Sequence, residues 1–327
     1  LTVELVRVTE DNWYIPDRAK NACVALGNFD GMHKGHQYIV DCVVQEANKL
    51  STSSCIITFE PHPEVFLHDR KRFLVGDLNS KRILATCLNV DFLIALFFSE
   101  SLASMTAERF VDDILIKLLS VQAIFVGKDF HFGKNRAGSV KYLEEIREFT
   151  TYVVDSQYDS DGYEYRSTGV RKALSSARME DVRSYLGYWY KINGIVSRGD
   201  ARGRSIGFPT ANLLIENEAM ITPPIGVYAV LVNITSGPMS GTLCKGVANL
   251  GSRPTFCNNG TLILEVHLIN FSEDIYGESI SVSLCHYLRA ESKFASVSDL
   301  VSQITCDIDQ AHNVLRDIEH DFVINNL

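Results

Sequence analysis

The chain has 327 residues, more than the roughly 250 to 300 at which a single hydrophobic core stops growing, so two domains are expected. Hydrophobic residues make up 46% and charged residues 22%, which excludes a disordered chain, and the longest apolar runs, such as "FLIALFF", fall short of the roughly 18 to 20 residues that span a bilayer. A net charge of -9 argues against a broad nucleic-acid-binding face but leaves room for a small anionic substrate in a local basic or amide-lined pocket.

The first residues, "LTVELVRVTEDN", lack the charged, apolar and small-residue regions of a signal peptide, and without an initiator methionine they read as a trimmed start. Eight cysteines (23, 42, 55, 87, 244, 257, 285 and 306) are scattered through apolar segments with no CxxC pair. They read as reduced, mostly buried thiols of a cytoplasmic protein.

From there the first half alternates strands and helices. "CVALG" (23–27), "CIITF" (55–59), "FLIALFF" (92–98), "AIFVG" (123–127) and "TYVVD" (151–155) are short, β-branched or aromatic runs. Between them, Ile39, Val40, Val43, Val44, Ala47 and Leu50 share one helical face, as do Phe110, Val111, Ile114, Leu115, Leu118 and Leu119. This order predicts an α/β domain with a parallel sheet and helices on both faces, whose ligands bind beyond the carboxyl ends of the strands.

"LGNFDGMHKGHQ" (26–37) occupies such a place. Gly31 and Gly35 let backbone approach a ligand, the following helix offers unpaired N–H groups, and His33 and His36 can donate to phosphate oxygens. A metal set of Asp30, His33 and His36 competes, though the glycines weaken it, as does a purely structural turn.

Downstream, "EPHP" (60–63) fixes a rigid turn in which His62 is more often a packed or capping residue than a catalyst. "VGKDFHFGKNRAG" (126–138) sets Asp129, Phe130 and Phe132 after the fourth strand, the rings ambiguous between core and stacking. "QYDSDGYEY" (157–165) is a turn-rich loop, and "RSTGVR" (166–171) places Ser167 or Thr168 as the N-cap of a helix.

Past about residue 185 the runs "KINGIVSRG" (191–199), "GVYAVLVNI" (226–234), "CKGVANLG" (244–251), "LILEVHLIN" (262–270) and "SISVSLCHYL" (279–288) are strand-like and separated by Gly, Pro, Asn and Ser. They predict an antiparallel β-barrel or sandwich closed by a helix near Val297 to Ile318. "GDARGRSIGFPTANL" (199–213) reads generically as a flexible surface loop, and nothing in the chain fits the GxxxxGK[ST] phosphate loop. Glu265 lies on the strand face shared with Ile263, His267 and Ile269, where a lone carboxylate is usually just solvated.

"GNFDGMHKGH", "ITFEPHPEVF", "VGKDFHFGKNRAG" and "RSTGVRKAL", followed by "GRSIGFPTAN", "PPIGVYAV", "GVANLGSRPTF", "LEVHL", "DIYG" and "LRAESKF", match in order the motifs of a known family. The chain resembles the bacterial bifunctional riboflavin kinase/FMN adenylyltransferases, also called FAD synthetases, over roughly residues 20 to 315. The resemblance implies a Rossmann-like HxGH nucleotidyltransferase domain (1–184) and a β-barrel riboflavin kinase domain (185–327) with a terminal helix.

By the same resemblance, ATP in the first domain meets Gly27, Phe29, Asp30, His33, His36, Ser167, Thr168 and Arg171, with His33 and His36 catalytic, while FMN meets Asp129, Phe130, Phe132 and His62. In the second, ATP meets Gly203, Gly207, Phe208, Pro209, Thr210 and Asn212, with Mg2+ on Thr210 and Asn212, and Glu265 accepts the proton of the riboflavin hydroxyl. His267 receives no role. The implied partners are riboflavin, FMN and ATP, without nucleic acid or membrane, for a monomer or weak homo-oligomer. Gly169 and Asn270 depart from the family pattern, and Gly169 is expected to loosen its loop. A chain with one site inactive, an adenylyltransferase for another metabolite and a non-catalytic flavin-binding regulator remain as alternatives.

Overall fold

The computed structural model describes residues 2–199, 202–215, 217–253 and 261–325, so Cys257 and part of "GVANLGSRPTF" lie outside the described residues. The chain forms two compact units, one of Leu1–Arg171 with Ala219–Ile221 and one of the remaining residues.

The first unit is built on a parallel sheet of six strands: β1 (Glu4–Val8), β2 (Cys23–Leu26), β3 (Ser54–Glu60), β4 (Phe92–Phe97), β5 (Ala123–Gly127) and β8 (Thr150–Val154), in the order β1-β4-β3-β2-β5-β8. A short ribbon, β6 (His131–Phe132) with β7 (Gly138–Ser139), follows β5. Strand alternation divides the core between the two faces. Val24, Leu26, Cys55 and Ile57 pack with Phe110, Val111, Ile114 and Leu115, whereas Cys23, Ala25 and Ile56 pack with Val40, Val43 and Ala47 of helix α1 (Lys34–Leu50). The segment at 110–118 has the expected buried stripe but is wound as a π-helix rather than an α-helix.

The chain leaves β2 toward β3 on one side and reaches β5 on the other. The carboxyl end of β2 is therefore a topological switch point, where open α/β sheets bind their ligands. Strand β1, half-exposed with a charged, weakly alternating sequence, was not among the expected strands, yet it pairs in parallel with β4.

The second unit is an antiparallel sheet of β9 (Lys191–Ile195), β10 (Ala211–Ile215), β11 (Gly226–Ile234), β12 (Leu243–Arg253), β13 (Thr261–Leu268) and β14 (Ser279–Arg289), ordered β10-β13-β12-β11-β14-β9. A bridge between Ser197 and Asn212 joins the two outer strands and closes the barrel. The end of the expected loop at 199–213 is thus strand β10, and Arg202–Ser205 is a helical turn. The closing helix runs Val297–Asn325. It is tied to β14 by a two-pronged Arg289–Asp307 ion pair, with Arg289 Nε and Nη2 each donating to the carboxylate at 2.9 and 2.8 Å. No helix of the described residues is long and apolar enough to cross a membrane.

Candidate active site

Beyond β2 the chain bends through a tight turn. Phe29, Gly31 and Met32 all have positive φ (48°, 74° and 42°), a conformation costing roughly 1–2 kcal/mol for each residue with a side chain. Burial supports it: the rings and chains of Phe29 and Met32 fill the core, and Asp30 is 3% exposed. The Asp30 carboxylate accepts from Val75 N at 2.8 Å and Gly76 N at 3.2 Å with one oxygen, and from the Arg171 guanidinium at 2.5 Å with the other. Asp30 therefore anchors the turn rather than joining the histidines around a metal.

His33 ends the turn and caps α1, its Nδ1 accepting from His36 N at 3.4 Å. That bond leaves the proton of a neutral His33 on Nε2, ready to donate. The two imidazoles stack with centroids 3.7 Å apart, and the edge of Phe29 steadies His36 from 5.1 Å. Among the described residues, His36 Nδ1 is buried without a partner. Such an atom costs about 1–3 kcal/mol, which a merely structural histidine has no reason to incur.

Burial, with the Arg171 charge adding to it, pushes the His33 pKa down to about 4, although Glu164 opposes. Burial, then His33 and Lys81, holds His36 well below its ordinary value. Both rings are neutral near pH 7. The positive character of the site comes from Arg171, the buried Lys81 and the N-terminus of α1.

Ser167 opens the helix Ser167–Ser175, but its hydroxyl donates to Asp30 O at 2.9 Å instead of capping that helix. Arg171 also donates to Phe73 O at 2.8 Å and stacks 3.8 Å over the Phe73 ring. Thr168 is exposed, and Gly169 lies inside the helix rather than in a loop it could loosen. A Cβ on Gly35 would come within 3.2 Å of both His33 Nδ1 and Tyr165 O, so the close approach foreseen for Gly35 is occupied by protein. Gly27 follows β2, donating to Ile57 O at 3.1 Å, with the Phe29 ring against its Cα.

The residues expected around the second substrate lie on two segments, His62 at the start of the helix after β3 and Asp129, Phe130 and Phe132 directly after β5. His62 is buried, caps helix α2 (Pro63–His68) through Nδ1 and meets the Phe73 ring edge-on at 5.4 Å. Phe132 is core, packed on Phe110, and Phe130 stacks on Phe132 while half-buried. Asp129 is exposed and paired with Arg166 at 3.0 Å.

Sequence reasoning missed Lys81 and Phe73. Lys81 sits on the buried stripe of helix α3 (Leu78–Cys87) with Leu78 and Ala85. The available signal was a lysine at i+3 from one apolar position and i−4 from another.

The buried histidines also predict how stability varies with pH. His33 and His62 titrate at about 4 and about 3 in the fold against 6.5 ordinarily. Below pH 6.5 the unfolded chain takes up protons that the fold refuses. The associated stability, as upper figures about 3 kcal/mol for His33 and about 5 kcal/mol for His62, is full above that pH and lost as pH falls toward 4 for the first and 3 for the second. The melting temperature should therefore drop steeply from pH 6.5 to 4. His62→Asn, which retains a capping acceptor, should flatten the slope; parallel slopes would contradict this.

In the second unit, Asn212 on β10 and Asn249 on β12 flank Glu265 on β13 in register, putting the three side chains abreast on one face of the sheet. Glu265 is exposed and Asn212 is buried, Nδ2 of the latter pointing to Thr210 O at 3.4 Å. Asn249, also missed, donates to Glu291 at 3.0 Å.

Beside them a groove of about 490 Å³ is lined by Arg204, Gly207, Pro209, Thr210, His267 and Asp274, among others. His267 Nδ1 lies 2.9 Å from Pro209 O, and its ring meets Phe208 edge-on, so it braces the loop that presents Thr210. Gly207 needs its φ of 92°, and Asn270, which also lines the groove, takes a φ of 57° that asparagine tolerates well. Gly203 supplies the carbonyl that Phe208 N donates to at 2.8 Å. The hydroxyl of Thr210 and the amide oxygen of Asn212 are hard oxygen donors two residues apart, a set suited to magnesium.

Comparison with known proteins matches a different family model to each half of the chain. Residues 15–168 match the family model for FAD synthetase, and residues 186–315 match that for riboflavin kinase. A Haemophilus influenzae protein named bifunctional riboflavin kinase/FMN adenylyltransferase is 35% identical over 300 residues, covering 90% of this chain and 95% of its own. An Escherichia coli K12 protein of that name is 36% identical, covering 88% and 91%. One from Listeria monocytogenes is 32% identical, covering 92% and 93%. A crystal structure from Streptococcus pneumoniae, described as a macrolide-efflux protein, superposes with a TM-score of 0.82 at 28% identity over 94% of this chain and 99% of that one.

Proposed function

This chain belongs to the bifunctional riboflavin kinase/FMN adenylyltransferase family, and on that premise we propose which residues perform each of its two steps. The protein phosphorylates riboflavin to FMN with ATP and adenylylates FMN to FAD with a second ATP, releasing pyrophosphate. We assign adenylyl transfer to residues 1–184 and riboflavin phosphorylation to 185–327, in a cytoplasmic monomer or weak homo-oligomer.

In adenylyl transfer, a phosphate oxygen of FMN attacks the α-phosphorus of ATP and the bond to the bridging oxygen of pyrophosphate breaks. Neutral His33 and His36 donate N–H bonds to the phosphates as charge grows on the leaving group, and the N–H groups at the start of α1 assist. Arg171, held by Asp30, contributes fixed positive charge beside them. The observation that carries this assignment is the stacked, neutral histidine pair, His33 buried and His36 half-buried, at the switch point of the sheet. Gly27, Phe29 and Ser167 shape this cradle from behind, and Thr168 reaches the phosphates from the helix start. Asp129, Phe130 and His62 border the flavin side, with Phe132 supporting Phe130.

In phosphorylation, Glu265 accepts the proton of the riboflavin 5'-hydroxyl as that oxygen attacks the γ-phosphorus and ADP leaves. Gly203, Gly207, Phe208 and Pro209 form the loop over the nucleotide. Thr210 and Asn212 would hold magnesium, which when bound neutralises phosphate charge.

A Cβ on Gly199 would lie 2.5 Å from Asn212 Nδ2, so Gly199→Ala must displace that amide. FMN formation should fall at least about 10-fold, with FMN-to-FAD conversion unchanged. An unaltered kinase rate would show that Asn212 is not needed where it stands. The function itself is tested by incubating the protein with riboflavin and MgATP and separating the products by chromatography: FMN should appear first and FAD after it. Absence of both would overturn the enzyme reading, and FMN alone the bifunctional one.

A further inference from the structure

We propose that Lys81 is a positioning residue for adenylyl transfer, acting through the Thr58 hydroxyl on the carbonyl of Asn28 and so on the turn that carries His33 and His36. This rests on the assignment of that turn to adenylyl transfer.

Lys81 is 3% exposed and Thr58 is fully buried. Its ammonium donates to Thr58 Oγ1 at 3.2 Å, and Thr58 Oγ1 in turn lies 3.0 Å from Asn28 O. Among the described residues Lys81 makes no ion pair. Withdrawing an unpaired ammonium from water costs several kcal/mol, and a methionine of similar length would fit the apolar stripe of α3 without that cost. The carboxylates of Asp30, Glu60 and Asp77 offset part of that cost, but none of them pairs directly with the ammonium, whose hydrogen bond goes to Thr58 instead.

The direction of the hydrogen bonds supplies a reason for the lysine. An ammonium has three donors and no acceptor. Thr58 must therefore accept from Lys81, and its single proton has to point at Asn28 O. Lys81 thereby sets the orientation of a rotor that could otherwise turn away. Asn28 immediately precedes the positive-φ residues Phe29, Gly31 and Met32, a turn that needs bracing from more than one side. Asp30 braces it from the other, through the amides of Val75 and Gly76 just before α3. Both braces thus converge on the start of α3.

The same ammonium helps hold His36 and His62 neutral. Asp30, Glu60 and Asp77 face it and favour its charge, against the burial that lowers its own pKa.

The test uses the full chain with four variants: Lys81→Met, Thr58→Val, their double, and Thr58→Ser. Riboflavin phosphorylation in each preparation serves as the control for folding. Lys81→Met and Thr58→Val should each lower kcat for FMN adenylylation by about 10- to 100-fold, since small misplacements of a reacting group cost that much. KM for FMN and for ATP should stay within about threefold. The double variant should be no slower than the slower single, because both break one relay.

Thr58→Ser keeps the hydroxyl and loses a buried methyl, so it should run within about threefold of wild type. A packing role predicts the reverse, with the isosteric Val tolerated and Ser harmful. Wild-type kcat in Thr58→Val, or losses that multiply in the double, would overturn the proposal. If Lys81→Met does not fold, the Val and Ser variants at position 58 decide alone. If wild type itself makes no FAD from FMN, the underlying functional reading fails, which is a different outcome from a Thr58→Val enzyme that matches an active wild type.

Discussion

Replacing His36 by alanine is expected to lower FMN adenylylation by about 10²- to 10³-fold, the usual cost of removing one preorganised donor to a developing anion, while riboflavin phosphorylation continues at its normal rate. FMN should then accumulate where wild type would carry it on to FAD. The expectation follows from geometry more than from the motif. His36 stacks on His33, leans on Phe29 and buries an unpartnered Nδ1, so its ring is held rigidly at the opening of α1 with its pKa depressed by burial. A neutral ring so placed donates without first having to lose a proton. The loss should appear in kcat with little change in KM for ATP, because the interaction strengthens as pyrophosphate leaves. An unchanged adenylylation rate would remove His36 from the mechanism. Loss of both activities in folded protein would mean that the two reactions do not use separate sites.

Replacing Glu265 by glutamine should have the complementary effect. General-base catalysis contributes typically about 10²- to 10⁴-fold, and glutamine keeps the size and strand preference of glutamate while losing its ability to take a proton. FMN formation should fall within that range, and conversion of supplied FMN to FAD should persist. Glu265 stands abreast of Asn212 and Asn249, so the glutamine amide can remain in place and the barrel should melt as before. A glutamine variant that phosphorylates riboflavin at the wild-type rate would leave Glu265 as the solvated strand carboxylate that its exposure alone suggests.

What could be read from the sequence was what is local. The turn from Gly27 to His36 is contiguous, and its two histidines lie three residues apart at a helix start, so spacing alone brought them together. The inner strands of the parallel sheet stood out because each is a short run of apolar residues, broken only by Thr58. Glu265 could be assigned to its strand face because period two holds from Leu262 to Leu268 in burial as well as in sequence, apart from Ile263.

What escaped was non-local or masked by an atypical residue. The Asp30–Arg171 pair joins positions 141 residues apart, and no periodicity predicts it. Ser167 looked like a helix cap because serine at a helix start usually is one; the carbonyl of Asp30, 137 residues earlier, takes its proton instead. Lys81 was passed over because a charge on a helix is read by default as solvent-facing. Strand β10 was hidden by the Gly- and Pro-rich lead into it, although the residues that close the barrel, Ser197 and Asn212, are both small and polar.

The central claim is that one chain holds two independent sites acting in series, and a mixing experiment tests it most directly. His36→Ala and Glu265→Gln proteins are supplied with riboflavin and MgATP, first separately and then together, and FAD is followed by chromatography. The first variant alone should stop at FMN and the second should leave riboflavin largely unconverted. The mixture should produce FAD, as FMN released by one protein is adenylylated by the other. A mixture that accumulates FMN without FAD, although the Glu265→Gln protein converts supplied FMN, would contradict free passage of the intermediate between separate sites.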